Sequence, residues 1–107
     1  MPMETTAAEL QSEILGALAH PNRIRIVEFL RQGPRCNCEI APELGLEQSN
    51  LSRHLKILEQ AGVLFSWKDG LRVNFKVADS RIFRLLDLVT AVARKDVEKR
   101  AEALQEA

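Results

Sequence analysis

Two groups of residues in this sequence have types and spacings that could do chemistry. The first is Cys36-Asn37-Cys38, two thiols one residue apart and next to Arg35. Thiolates are soft ligands, so the pair suits As(III), Sb(III), Cd(II) or Pb(II). A cysteine at a helix start beside a cation is also biased toward its thiolate. Residues two apart in an intact helix point about 200° apart around its axis, so the two sulfurs would share one ion only if that first turn were distorted. The same pair also reads as two small buried hydrophobes, or as a redox pair made strained by its short spacing. The chain has no third cysteine. A guest needing only two thiolates, such as an organoarsenical, suits the site best. Others would need a water, a small thiol, a histidine or N-terminal donor, or a second subunit.

The second group is Gln48, Ser49, Asn50, Ser52, Arg53, His54 and Lys56. Leu51, Leu55 and Leu58 recur at spacings of four and three, so this stretch is a helix with an apolar face. Its other face is polar and nearly free of acid. A merely solvated helix more often mixes Glu and Lys at spacing four. Gln addresses adenine and Arg addresses guanine through paired hydrogen bonds, and Ser is adaptable. Such a face reads the major groove of double-stranded DNA.

Several elements must position these groups. Leu10, Ile14, Leu15 and Leu18 mark a helix over 6–19, and Pro21 opens a second with Ile24, Ile26, Val27 and Leu30 inward. A short helix over 38–44 stops at Gly45, and the helix over 48–61 is capped by Gly62. From Val63 the period falls to two. Lys68-Asp69-Gly70 is a hairpin signal between Val63–Trp67 and Leu71–Val77. Trp67 is assigned to core packing. Asp79-Ser80 caps a final helix to about 105, with Ile82, Leu85, Leu86, Val89, Val92, Ala93, Val97, Ala101 and Leu104 along one stripe.

Two helices joined by Gly45-Leu46-Glu47 and followed by a hairpin make a winged helix-turn-helix: mainly α with a small β-hairpin. In it, 38–61 is the helix-turn-helix and 63–77 the wing. Lys68 and Arg72 on the wing, with Lys76 further along, suit phosphate contacts, which position without specifying. The last helix is roughly 35–40 Å long. A chain of 107 residues, expected as one domain over 1–107, cannot cover that stripe. A homodimer joined through the terminal helices, 6–19 and 79–105, is the economical solution.

The net charge is zero, but residues 48–76 carry five Lys and Arg against two acids, whereas residues 1–30 carry two against four. That local excess suits a phosphate partner. No apolar run approaches a membrane span and the N-terminus has no signal-peptide pattern, so a cytoplasmic protein with no membrane partner is expected. There is no catalytic triad pattern, Gly-rich phosphate loop or acid–base pair. This points away from an enzyme and from any organic cofactor. A thiol oxidoreductase built on Cys-x-Cys and a winged-helix protein-interaction module are the rival classes.

The stretch Glu47-Gln48-Ser49-Asn50-Leu51-Ser52-Arg53-His54-Leu55-Lys56-Ile57-Leu58 through Leu64 resembles the recognition helix of the ArsR/SmtB metalloregulators. Leu18-Ala19-His20-Pro21-Asn22-Arg23 resembles that family's entry into its second helix, and Lys68–Phe75 resembles its wing. Cys36-Asn37-Cys38-Glu39-Ile40 is similar to the sensor of its arsenic- and cadmium/lead-responsive members. The resemblance spans about residues 10–90. It implies a dimeric repressor that leaves an operator, an imperfect palindrome, when an inducer binds. It also implies base reading by Gln48, Ser49, Ser52 and Arg53, with His54 assisting at bases or phosphates. Glu47 stands where a Ser or Thr cap is common, and Asn74-Phe75 where paired tyrosines are common. Another sensor site of that family uses His with acids on the last helix. Here that helix has no His, and Asp87, Asp96 and Glu98 read as a solvated face. A constitutive or redox-responsive regulator without a metal is the alternative on the same fold.

Overall fold

A computed structural model describes residues 4–106. Five helices and three short strands follow one another in the order α1 (Ala7–Leu18), α2 (Pro21–Phe29), β1 (Arg35–Cys36), α3 (Asn37–Leu44), α4 (Gln48–Gln60), β2 (Leu64–Asp69), β3 (Arg72–Val77) and α5 (Arg81–Glu106), with a 3₁₀ turn at Leu30–Gln32 after α2. The helices begin where the sequence offers caps. The Thr6 hydroxyl accepts from the Glu9 amide at 3.1 Å, His20 Nδ1 from the Asn22 amide at 3.0 Å, and the Asp79 carboxylate from the Arg81 amide at 2.9 Å.

The core lies where α2, α3 and α4 converge on the strands. Ile26, Val27, Ile40, Leu51, Leu58 and Val63 are fully buried. Leu30, Leu55, Leu64, Phe75 and Leu86 complete the packing. Two arginines of α2 hold the ends of neighbouring helices. Arg23 donates to the carbonyls of Ala17 and Gly16 at the close of α1. Arg25 donates to Leu44 O at the close of α3, at 3.0 Å. Each satisfies a carbonyl that the helix itself leaves orphaned.

The wing departs from the expected two-stranded ribbon. It is the hairpin β2–β3 with β1 added on the far edge of β3, in the order β1-β3-β2. Arg35 pairs with Phe75 and Cys36 with Asn74, antiparallel. Two residues are too few to show a period, and their partner is forty residues away, so local patterning cannot announce this strand. Trp67 is not in the core. It stands on the outer face of the hairpin, 6.1 Å from the Phe65 ring. The Lys76 ammonium sits over both rings, 5.5 Å from Phe65 and 6.0 Å from Trp67.

On α5 only Leu86 is buried. Leu88, Val89, Val92, Val97 and Leu104 are exposed, as are Leu10, Ile14 and Leu15 of α1. Asp87 is not simply solvated. It pairs with Arg31 at 3.0 Å, while Arg31 also holds Glu28 at 2.9 Å. No helix among the described residues is long and apolar enough to cross a membrane.

Candidate nucleic-acid interface

The turn between α3 and α4 is built by one glycine. Gly45 has φ +66° and ψ 34°, the left-handed region. Leu46 then donates its amide to Ala41 O at 2.9 Å, closing α3 as a glycine cap does. Glu47 is the N-cap of α4, and its side chain makes no capping hydrogen bond. The first turn of α4 carries no acidic residue.

Around α4, Leu51, Leu55 and Leu58 face the core. Gln48, Ser49, Ser52, Arg53 and Lys56 are exposed on the opposite face, and Asn50 lies half-buried at its edge. Arg53 donates to Asn50 Oδ1 at 3.0 Å, which holds the guanidinium along the helix. His54 leaves this set. It is 6% exposed, and its ring centroid lies 4.6 Å from that of His20. Its Nδ1 faces Arg23 Nη1 at 3.4 Å. Burial lowers its pKa below the usual value near 6.5, and the charges of His20, Arg23 and Arg53 lower it further. It is a neutral residue at the base of the helix, not part of the outward surface. The reason is angular and tertiary: residue 54 lies about 40° beyond Leu58 at the edge of the apolar arc, on the flank that His20 and Arg23 of the α2 start cover.

Lys68 and Arg72 are exposed near the tip of the wing. Lys76 instead covers Phe65 and Trp67 on its outer face. Sequence reasoning missed this aromatic–cation cluster because Val63-Leu64-Phe65 is a continuous apolar run, in which no alternation distinguishes inside from outside.

The thiol pair sits at the junction of wing and brace helix. Cys36 is at 0% exposure in β1 and is at the same time the N-cap of α3, with φ −81° and ψ 158°. The Glu39 carboxylate accepts from its amide at 3.1 Å. Cys38 is exposed within the first turn. The two sulfurs are joined as a disulfide, with Cα atoms 5.2 Å apart. The expectation that they point apart is therefore corrected. Cys36 is extended, outside the helix, and the helical 200° does not apply to it. Arg35 is turned to the Phe29 ring, 5.7 Å away. Among the described residues no three His, Cys, Asp or Glu cluster as a metal site. The chain's own donor set at this point is two sulfurs.

Comparison with known proteins agrees with this geometry. The model of the family described as bacterial regulatory protein, arsR family, matches residues 20–65. The HTH-type transcriptional regulator Rv0081 of Mycobacterium tuberculosis is 35% identical over 99 residues, covering 92% of this chain and 87% of its own. The HTH-type transcriptional repressor SmtB of the same species is 39% identical over 84 residues, covering 78% of this chain and 62% of its own. The crystal structure of Rv0081 superposes with a TM-score of 0.81 at 34% identity, over 92% of this chain and 99% of that one. The solution structure of Mb0332 from Mycobacterium bovis, described as a homodimeric winged helix-turn-helix DNA-binding domain, has a TM-score of 0.78 at 26% identity, over 92% and 95%.

Proposed function

We propose, from the premise that this chain belongs to the arsR family of bacterial regulatory proteins, that it is a homodimeric repressor binding specific double-stranded DNA in the cytoplasm. Its relatives are transcriptional regulators, not enzymes. The observation that carries the reading is the outward face of α4. Gln48, Ser49, Ser52 and Arg53 stand exposed on a helix whose other side is locked into the core. A recognition helix presents this combination to base edges. Lys56, Lys68 and Arg72 add sequence-independent attraction to phosphates. The uncovered apolar faces of α1 and α5 supply the seam between two copies, and a two-fold dimer reads an imperfect palindrome.

Cys36 and Cys38 are the inducer site of this reading: once a small thiol, itself oxidised to its disulfide, has reduced the bond between them to two thiols, they give up their protons and take a thiophilic ion that bonds two sulfurs. Two thiolates and no clustered third ligand fit a monosubstituted trivalent arsenical better than an ion demanding three or four. As(III), Sb(III), Cd(II) or Pb(II) would draw further donors from water or a small thiol. Cys36 is buried, is paired to β3 and caps α3. A guest bonded to both sulfurs pulls on all three contacts, and α3 is the helix that braces α4. The guest thereby favours the conformation that does not fit DNA, as linkage requires.

The test is fluorescence anisotropy of a duplex from the chain's own upstream region, with and without each ion. Specific binding that Arg53→Ala weakens, and that As(III) or an organoarsenical releases in the wild type but not in Cys36→Ser/Cys38→Ser, is the expected result. Binding indifferent to Arg53→Ala would overturn the contact assignment. The joined sulfurs favour a second reading, a redox-responsive regulator without a metal. In that case peroxide and dithiothreitol, rather than ions, would switch the same DNA affinity.

A further inference from the structure

A cleft of about 350 Å³ opens beside α4, where the start of α2 meets it. His20, Asn22, Arg23, Asn50, Arg53 and His54 line it, and no acidic residue does. Its hydrogen-bonding polarity is one-sided. His20 Nδ1 accepts from the Asn22 amide, so the ring proton is on Nε2. His54 Nδ1 faces a guanidinium that only donates, so its proton is on Nε2 as well. The Asn22 side-chain oxygen is held by Arg25 at 3.1 Å, and that of Asn50 by Arg53 at 3.0 Å. The acceptors around the cleft are thus engaged by the protein itself. What remains for a ligand is imidazole N–H, amide NH₂ and guanidinium, which is the chemistry of an oxyanion site.

The position of the cleft identifies the oxyanion. Asn50 and Glu59 are nine residues apart on α4, half a revolution around the axis. Glu59 hydrogen-bonds Ser66 of the wing, while Asn50 lines the cleft. Wing and cleft therefore bracket the recognition helix on opposite sides. A helix about 10–12 Å across fills a major groove about 12 Å wide, and its two flanks then meet the two phosphate walls.

We propose that this cleft seats one backbone phosphate of the bound duplex, on the groove wall opposite the wing. The proposal rests on the DNA-binding reading above. Beside that geometry, burial first and then the charges of the Arg23 and Arg53 guanidiniums lower the His54 pKa.

The test uses His20→Asp. Aspartate caps a helix as well as any residue, so α2 keeps its start while a carboxylate enters the cleft. His20→Asn keeps the cap without the charge. Asn22→Asp is a second variant, since an acid in the first turn suits the helix dipole. Binding to the upstream duplex is measured from 50 to 300 mM NaCl, with single methylphosphonates placed along each half-site. His20→Asp should weaken binding about tenfold at low salt and flatten the salt slope by about two units for a dimer with two clefts. His20→Asn should change affinity far less. One neutralised phosphate per half-site should weaken the wild type and should restore part of the affinity that His20→Asp loses, since the repulsion of its carboxylate is removed.

A folded His20→Asp or Asn22→Asp that keeps wild-type affinity and slope would overturn the site. So would inorganic phosphate that shifts the His20 and His54 NMR signals while no duplex phosphate couples to them. A wild type that binds no duplex even at 50 mM NaCl is a distinct result: the DNA-binding reading falls, and this assignment with it.

Discussion

Arg31 and Asp87 lie fifty-six residues apart in sequence and meet through two hydrogen bonds, at 3.0 and 3.3 Å. The same guanidinium holds Glu28 and lies 4.9 Å from the centroid of Phe83. The turn that leads into the cysteine strand is thereby fastened to α5, whose uncovered face is proposed as the dimer seam. Both partners are exposed, so screening keeps the contribution small. Asp87→Asn should lower the melting temperature slightly at low salt. The difference should vanish at 1 M NaCl, where the Debye length is about 3 Å. Arg31→Ala, which loses both carboxylates and the aromatic contact, should fall further. A salt-independent loss for Asp87→Asn would show that packing, not charge, joins these elements.

His54 gives the fold a pH dependence of definite sign. Its pKa is lowered in the folded state, first by burial. Below about 6.5 the unfolded chain binds a proton at this residue that the folded chain refuses. The stability associated with neutral His54 is complete above that pH and is lost as pH falls toward the lowered folded value. Urea midpoints of the wild type should drop between pH 6.5 and 5, and those of His54→Gln should drop less. Equal slopes for the two proteins would refute the assignment.

Gly45 carries the helix-turn-helix turn by backbone alone. A Cβ there would meet nothing within 4 Å, yet φ is +66°. Gly45→Ala should therefore cost about 1 kcal/mol from the left-handed conformation and nothing from crowding. A fall of roughly 5 °C in melting temperature follows for a domain of this size. An unchanged melting temperature would mean that the turn relaxes to another conformation, and DNA affinity would then be the quantity to follow.

The helices were legible because their apolar residues recur at three and four, and the boundaries came within a residue or two where Pro21, Gly45 and Gly62 punctuate them. The parts that were not legible depend on contacts distant in sequence. β1 is two residues whose partner is β3. Cys36 belongs to that strand and to the cap of α3 at once, which places its sulfur against Cys38. His54 was grouped with its polar neighbours by residue type, although its angle around α4 sets it beside Leu58, on the flank that the start of α2 covers. Phe65 and Trp67 lie outside because Leu64 is drawn in, and only the packed sheet decides which of the adjacent apolar residues turns inward.

Val92 tests whether the bare faces of α1 and α5 form the seam between two copies. It is 72% exposed, so an acid there disturbs little within one chain. Burying that acid against a partner helix would take a charge out of water in an apolar seam. Val92→Glu should keep the helical circular dichroism of the wild type while its sedimentation mass falls to that of one chain. DNA affinity should fall by orders of magnitude, because two half-sites no longer bind as one ligand and the advantage of effective concentration is lost. A Val92→Glu protein that sediments as a dimer and binds normally would move the seam elsewhere. Leu10→Glu on α1 would then show whether that helix, rather than the middle of α5, carries it.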